Sequence, residues 1–151
     1  MSRIFYQGPR KIPVKEIVIT TVKQLTCLNM MANILIIDQD PNYREILSVL
    51  MGNRGYDVTV LESGYEVIDM LGRGAFDIVF LDTETGGIKG KDLVSQIRKE
   101  CPNCFVILIS SKRGDDFVKY AMENGAYGCV SKPFNPDEVL VMVNHIARCS
   151  K

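Results

Sequence analysis

Short apolar runs recur along most of the chain, and each is followed by a stretch with helical spacing. The runs are Ile34 to Ile37, Tyr56 to Leu61, Ile78 to Leu81, Phe105 to Ile109 and Gly128 to Ser131. Several contain no polar residue, which is typical of strands buried on both faces in a parallel sheet. The pattern therefore predicts strands that alternate with helices.

Helix start and stop signals lie between these runs. Asp40 before Pro41 has the order of an N-cap followed by the first helical position. Ser63 and Glu66 have the spacing of a capping box, which predicts that a second helix begins at this point. Further helices are predicted between Gly90 and Pro102, from Asp115 to Asn124, and from Asn135-Pro136 to about Ala147. Five strand–helix units predict an α/β fold, (βα)5, with one doubly wound parallel sheet and right-handed crossovers.

Residues 1–31 differ from the rest of the chain. They carry five basic residues and one acidic residue, although the net charge of the whole chain is zero. We expect residues 1–31 to be an N-terminal extension outside the fold, and residues 32–151 to form the folded domain. Since Met30 and Met31 directly precede the first patterned strand, residues 1–31 also fit upstream sequence read from a start codon before the natural one.

The charge and the cysteine content narrow the range of partners and compartments that the protein can have. A net charge of zero argues against nucleic acid or an anionic membrane as the main partner. No apolar run approaches the ~20 residues that span a bilayer, and the basic N-terminus lacks the apolar core of a signal peptide. The five cysteines are irregularly spaced and odd in number, which suits a reducing compartment. We therefore expect a cytoplasmic protein without membrane or nucleic-acid partners.

Polar side chains follow the predicted strands at the points where they end. The first strand ends in Asp38-Gln39-Asp40, the third in Asp82, the fourth in Ser110 and the fifth in Lys132. Because the carboxyl ends of parallel strands share one edge, these groups should converge. Two carboxylates ~4 Å apart repel by about 4 kcal/mol at an effective dielectric of about 20. Lys132 offsets part of that repulsion, and Mg²⁺ suits the remaining charge.

With these four separated motifs, residues 33 to about 148 resemble a receiver domain of two-component response regulators, of the single-domain, chemotaxis-regulator-like kind. The resemblance implies a flavodoxin-like fold with strand order 2-1-3-4-5 and a signalling protein rather than an enzyme. It implies that Asp82 accepts a phosphoryl group from a histidine kinase or phosphotransfer protein. It assigns to Ser110 a hydrogen bond to that phosphoryl group, and to Lys132 a salt bridge.

The resemblance also implies a magnesium site formed by Asp38, Gln39, Asp82 and the backbone carbonyl of Glu84. The sequence departs from the family at Gln39, where a second acid is usual, so we expect Mg²⁺ to bind weakly. Asp40 is a further candidate ligand, although its place before Pro41 is explained by the N-cap alone.

Signal output in this family usually leaves through the surface of the fourth helix, fifth strand and fifth helix, where a downstream protein binds. Cys129 stands where the family has an aromatic ring that reports phosphorylation, which predicts an altered switch. We interpret His145 as a structural or exposed residue. Cys101-x-x-Cys104 is interpreted as neither a redox pair nor a metal site, because it joins a helix end to a strand start.

Two other interpretations compete with a phosphorylated receiver. The first is a degenerate receiver that binds a partner without phosphorylation, for which Gln39 and Cys129 are the evidence. The second is a phosphohydrolase similar to the haloacid dehalogenases, with Asp38 as nucleophile and Asp40 as acid and base. In that second case Asp82 would have no role.

Overall fold

Strands and helices alternate along the chain as the apolar pattern predicts. The computed structural model describes residues 4–6, 32–86 and 90–149. Its elements are β1 (Ile4–Tyr6), β2 (Asn33–Ile37), α1 (Pro41–Gly52), β3 (Asp57–Leu61), α2 (Val67–Arg73), β4 (Ile78–Asp82), α3 (Gly90–Glu100), β5 (Phe105–Ser110), α4 (Asp115–Glu123), β6 (Gly128–Ser131) and α5 (Pro136–Cys149). Within these ranges, no helix is both long and apolar enough to cross a membrane.

The described strands form one six-stranded sheet in the order β1-β6-β5-β4-β2-β3. The strands from β2 to β6 pair in parallel. Numbered from β2 as the first, these five strands have the order 2-1-3-4-5. The sheet therefore confirms the α/β fold and the flavodoxin-like strand order.

The sheet is covered by helices on both faces, and this explains why its strands are uninterrupted apolar runs. In β2, Leu35 and Ile37 point into a core that also contains side chains of α2, α3 and α4. Ile34 and Ile36 point into the opposite core, against α1 and α5. Successive strand side chains alternate between faces, so a strand covered on both sides needs apolar residues at every position.

Two helix starts show how local signals compete with tertiary contacts. Asp40 caps α1 as predicted, and its side chain accepts a hydrogen bond from the Asn42 N–H at 2.9 Å. The prediction that a capping box at Ser63 starts the next helix was wrong, because α2 begins only at Val67 and the Glu66 side chain makes no capping hydrogen bond. The N–H of Gly64 instead donates to the backbone oxygen of Gly86 at 3.0 Å, which holds this turn against the loop after β4.

The strand β1 lies in the segment that the sequence placed outside the fold. It pairs with β6 in antiparallel fashion, with Phe5 opposite Cys129. The expectation therefore does not hold for Ile4–Tyr6, since the free edge of β6 offers backbone hydrogen-bonding groups to which an extended segment can pair. The rest of residues 1–31 lies outside the described ranges, and the domain boundary at residue 32 stays a prediction.

Candidate functional site

Charged and hydroxyl side chains converge at the carboxyl edge of the sheet. Asp38 directly follows β2, Asp82 ends β4, Ser110 ends β5 and Lys132 directly follows β6. The Nζ atom of Lys132 lies 2.8 Å from Asp38 Oδ2 and 3.6 Å from Asp82 Oδ2. Asp38 and Ser110 are fully buried, and Asp82 is 2% exposed. The structure therefore brings together the four strand-end residues that the sequence singled out.

The side chain of Lys132 is held between this acidic pair and an aromatic ring. Its Nζ atom lies 4.3 Å from the ring centroid of Tyr43 on α1, which in turn packs against Phe134. Burial alone would lower the pKa of Lys132, but Asp38 and Asp82 outweigh burial, so the pKa is raised. The ammonium group therefore stays charged and offsets part of the acidic charge. No motif in the sequence indicates this cation–π contact.

The carboxylate of Asp82 has a perturbed ionisation. Its pKa is raised from 3.8 to about 6, mainly by burial and in smaller part by the charge of Asp38. The N–H of Glu84 and the ammonium of Lys132 act in the opposite direction. The N–H of Glu84 donates to Asp82 Oδ1 at 3.1 Å, and the Thr85 hydroxyl donates to Oδ2 at 3.2 Å. Asp82 is therefore oriented through both of its oxygens.

The side chain of Glu84 lies at the same edge, although the sequence named only its backbone carbonyl. Its carboxylate accepts hydrogen bonds from the hydroxyl groups of Ser110, at 3.3 Å, and Ser111. Burial acts to raise the pKa of Glu84, but these hydrogen bonds prevail and lower it. No motif could have revealed this contact, because it depends on how two loops from different strands meet.

Asp38, Gln39 and Asp40 take different roles in the turn after β2. Asp38 Oδ1 accepts a hydrogen bond from the Asp40 N–H at 2.9 Å, while the Asp40 side chain caps α1. The Gln39 side chain is exposed. Arg44 fixes the turn, since it donates to the backbone oxygens of Asp38 and Gln39 at 2.7 and 3.0 Å. The geometry therefore shows Asp40 in its capping role.

Two adjacent carboxylates provide the donor set for a magnesium ion. Asp38 Oδ2 is buried, and apart from the ion pair with Lys132 it accepts no hydrogen bond from the described residues. Within the described ranges, no three His, Cys, Asp or Glu side chains are grouped closely enough to hold a metal. Mg²⁺ is commonly held by one or two carboxylates, with water and phosphoryl oxygens completing its shell. The carboxylates of Asp38 and Asp82 therefore fit Mg²⁺ as a site with two charged ligands.

Cys129 and Tyr127 lie on opposite faces of the sheet. Cys129 is fully buried in the core that contains Phe117 and Ala121 of α4. Tyr127 packs edge-on against Phe105, and its hydroxyl is hydrogen-bonded to Nδ1 of His145. Tyr127 is therefore not an aromatic substitute on the face of Cys129, and His145 has the structural environment that the sequence suggested.

A parallel sheet of this order, with paired acids, a hydroxyl and a lysine at its carboxyl edge, defines a receiver-type α/β domain. The chain belongs to the response regulator receiver domain family, whose model matches residues 34–144. Members of this family are signalling modules of two-component systems and interact with histidine kinases and downstream effectors. An aspartyl phosphate and Mg²⁺ are typical of the family.

Comparison with individual proteins supports the same fold. The chain is 29% identical over 116 residues to the response regulator SaeR of Staphylococcus aureus, which covers 77% of this chain and 50% of that protein. The chain thus spans about half the length of the curated relatives it matches. The BeF3-activated DrrB receiver domain has a TM-score of 0.71 and 28% identity, covering 77% of this chain and 97% of that one. A receiver domain protein from Methanospirillum hungatei JF-1, at 19% identity and a TM-score of 0.73, covers 80% of this chain and 96% of that one and shows the fold alone.

Proposed function

We propose that this chain is a response regulator receiver that accepts a phosphoryl group on Asp82 from a histidine kinase or phosphotransfer protein. The observation that carries the proposal is the contact of the Asp82 carboxylate with Lys132, beside Asp38, at the end of a buried strand. A carboxylate is a competent nucleophile for phosphoryl transfer. The charge on the transferred group must be neutralised at the same place.

The residues of the chain have distinct roles in this reaction. An oxygen of Asp82 attacks the phosphorus atom of the donor, the bond to the donor nitrogen breaks, and an aspartyl phosphate forms. Lys132 offsets the charge of the phosphoryl oxygens, and the Ser110 hydroxyl donates a hydrogen bond to one of them. Asp38 and Asp82 would hold Mg²⁺, with Gln39 and the Glu84 backbone carbonyl as neutral oxygen donors. When bound, the ion neutralises charge on the phosphoryl group.

Output follows from the change at Ser110. A phosphoryl group on Asp82 adds charge and strong acceptor oxygens beside the loop after β5, which gives the hydroxyl a new partner. We propose that the change reaches the α4, β6 and α5 surface, where a downstream protein binds. The chain then acts through protein contacts in the cytoplasm, without catalysing a reaction on another substrate.

Two similar structures support this proposal through what they contain. A response regulator of Burkholderia pseudomallei, 22% identical, carries a phosphorylated aspartic acid and a calcium ion. The DrrB receiver domain was solved in a form activated by BeF3.

Incubation with acetyl phosphate and Mg²⁺, followed by intact-mass measurement, tests the proposal. We expect one added phosphoryl group in the unchanged chain and none in Asp82→Asn. Asp77→Asn is the matched control, because Asp77 is exposed just before the same strand. This variant should be phosphorylated normally. Equal phosphorylation of Asp82→Asn and the unchanged chain would exclude Asp82 as the acceptor.

A phosphorylation-independent binding module is the second candidate. The observation in its favour is Gln39, whose exposed amide stands where the family places a second acid. The absence of any mass increase at saturating Mg²⁺ would support it. The phosphohydrolase interpretation loses support because Asp40 caps α1 and because the family match is to receivers. Hydrolysis of a phosphate ester that Asp38→Asn abolishes and Asp82→Asn leaves intact would restore it.

A further inference from the structure

Two cysteine residues meet at the amino edge of the sheet, at the opposite end of the strands from Asp82. Cys101 follows α3, and its N–H donates to the Ile97 backbone oxygen at 2.7 Å. A tight turn then brings the N–H of Cys104 to the Cys101 backbone oxygen at 3.1 Å. Their Cα atoms are 5.4 Å apart and their sulfur atoms are joined. The Cα separation lies in the ordinary range for a disulfide, roughly 4.4–6.8 Å.

The surroundings of the two sulfur atoms also suit the reduced state. They lie 3.6 Å (Cys101) and 2.9 Å (Cys104) from the backbone oxygen of Phe76, which precedes β4. A disulfide sulfur has no proton to donate to that oxygen, whereas a thiol does. After reduction, the thiol protons therefore have the Phe76 oxygen nearby as an acceptor.

The two cysteines differ in accessibility. Cys104 is 3% exposed and packs in the core shared by α3 and β5. Cys101 is half-buried and packs against the outside of that core. Thiol–disulfide exchange requires access of the attacking sulfur to its target. A small disulfide in solution therefore meets Cys101 before Cys104.

We propose that Cys101 and Cys104 form a reversible dithiol–disulfide couple whose oxidant is a small disulfide of the glutathione class. This proposal departs from the interpretation of the sequence, which dismissed the pair because it does not lie at a helix N-terminus. The structure supplies what the spacing could not, namely a turn that holds both residues at bonding distance. The proposal is independent of phosphorylation at Asp82.

The exchange proceeds in two balanced steps. Cys101 loses its proton to solvent and attacks the small disulfide, forming a mixed disulfide and releasing one small thiol. Cys104 then loses its proton and attacks the sulfur of Cys101, which releases the second small thiol. Two protein thiols are oxidised to one disulfide, while one small disulfide is reduced to two thiols.

Mass spectrometry of the full chain tests the couple. The folded protein is equilibrated at graded ratios of oxidised to reduced glutathione, quenched with acid, denatured and alkylated, then digested with trypsin. Peptide 100–112 contains both cysteines and reports their state in one mass. Peptide 120–148 contains the buried Cys129 and serves as the internal control. Under reducing conditions, we expect peptide 100–112 to carry two alkyl groups. Under oxidising conditions, it should carry none, and its disulfide should leave it with two hydrogens fewer than the dithiol peptide. The control should carry one throughout.

Single substitutions test the order of attack. In Cys104→Ser, oxidised glutathione should leave a stable adduct on Cys101, since no second thiol can displace it. In Cys101→Ser, the buried Cys104 should form that adduct at least about tenfold more slowly, because access limits exchange. A faster adduct on Cys104 than on Cys101 would overturn the assigned order.

Two results with the unchanged chain would overturn the couple itself. One is a peptide 100–112 that carries two alkyl groups at every glutathione ratio. The other is a disulfide that persists in the folded protein in excess dithiothreitol, since such a bond would be permanent. A receiver that is not phosphorylated would change neither readout, so failure here and failure of the proposed function are distinguishable.

Discussion

The Ser110 hydroxyl donates a hydrogen bond to the Glu84 carboxylate at 3.3 Å. The same hydroxyl oxygen accepts a hydrogen bond from the N–H of Lys112 at 3.0 Å, so the Ser110 side chain is tied to the loop that follows β5. Under the proposed function, a phosphoryl group on Asp82 must compete with Glu84 for that hydroxyl proton. Glu84 also places a negative charge where an anionic donor has to approach. Both effects oppose phosphorylation.

Glu84→Gln should therefore be phosphorylated faster than the unchanged chain. The substitution keeps an amide oxygen that accepts from Ser110 and Ser111 but removes the charge, and charged acceptors form the stronger hydrogen bonds. A loss of about 1 kcal/mol of opposing interaction corresponds to roughly a fivefold higher rate. The initial rate of phosphorylation by acetyl phosphate at fixed Mg²⁺ measures the effect.

Glu66→Gln is the matched control for this substitution. Glu66 is also exposed, but its side chain makes no capping hydrogen bond at the start of α2. Its phosphorylation rate should equal that of the unchanged chain. Equal rates for Glu84→Gln and Glu66→Gln would show that the Glu84 charge does not oppose the reaction.

Lys132→Met should destabilise the folded state strongly. Lys132 is the cation that pairs with both Asp38 and Asp82, and removing one partner of a buried ion pair typically costs roughly 3–5 kcal/mol. The loss should be larger at pH 8 than at pH 5, because protonation of a carboxyl group relieves the repulsion that remains. Urea unfolding at the two pH values measures the free energy of unfolding.

Lys119→Met controls for the removal of a lysine from the surface. Lys119 lies on α4 and is 3.8 Å from Glu123, and both side chains are largely exposed. Exposed pairs of this kind contribute about 0–1 kcal/mol. A similar loss in Lys132→Met and Lys119→Met would mean that the buried pair is not an important source of stability.

The alternation of strands and helices could be predicted because it depends on local periodicity. Ile36 and Phe80, for example, lie in uninterrupted apolar runs because helices cover both faces of the sheet. The start of α2 could not be predicted, since the N–H of Gly64 bonds to Gly86, which lies far along the chain. The pairing of β1 was missed for the same reason, because no turn signal connects it to β6.

The residues of the site also divide into those that the sequence could predict and those that it could not. Asp82, Ser110 and Lys132 were predictable because the topology of a parallel sheet brings its strand ends to one edge. The Glu84 side chain and the ring of Tyr43 were not, since their contacts depend on loop and side-chain conformations. The disulfide turn at Cys101 also depends on a conformation that spacing alone leaves undetermined.

Gln39→Asp should bind Mg²⁺ more tightly than the unchanged chain. An added carboxylate beside Asp38 gives the hard cation a charged oxygen in place of a neutral one. We expect the dissociation constant to fall about tenfold, which corresponds to roughly 1.4 kcal/mol. Isothermal titration measures the constant, and an unchanged value would show that residue 39 does not reach the ion.

Asp40→Ala separates the helix cap from the metal site. Loss of the hydrogen bond to the Asn42 N–H should lower the free energy of unfolding by about 1 kcal/mol. The affinity for Mg²⁺ should stay within about twofold, since the Asp40 carboxylate is engaged by the Asn42 N–H and acts on the ion only over a longer distance, where salt screens its charge. A large loss of affinity would instead identify Asp40 as a metal ligand and leave the cap as a secondary role.

Removal of residues 1–31 should leave the fold intact. Both hydrophobic cores of the described chain are formed by residues from 34 onward. The truncated chain should retain cooperative unfolding, but backbone N–H groups of Gly128 to Val130 that face β1 should exchange hydrogen faster, because the edge of β6 loses its partner. Loss of cooperative unfolding would show that the domain extends before residue 32.

Asp82→Asn should be more stable than the unchanged chain, by an amount that grows with pH. The pKa of Asp82 is about 6 in the folded state and near 3.8 when exposed, so the folded state binds the proton more tightly. The stability that this proton provides is fully present below pH 4 and is lost as the pH rises through about 6. The difference in unfolding free energy should thus rise by on the order of 3 kcal/mol between pH 4 and pH 8. Urea unfolding with a metal chelator measures it, with Asp77→Asn as the matched control. A difference that does not change with pH would show that Asp82 ionises normally.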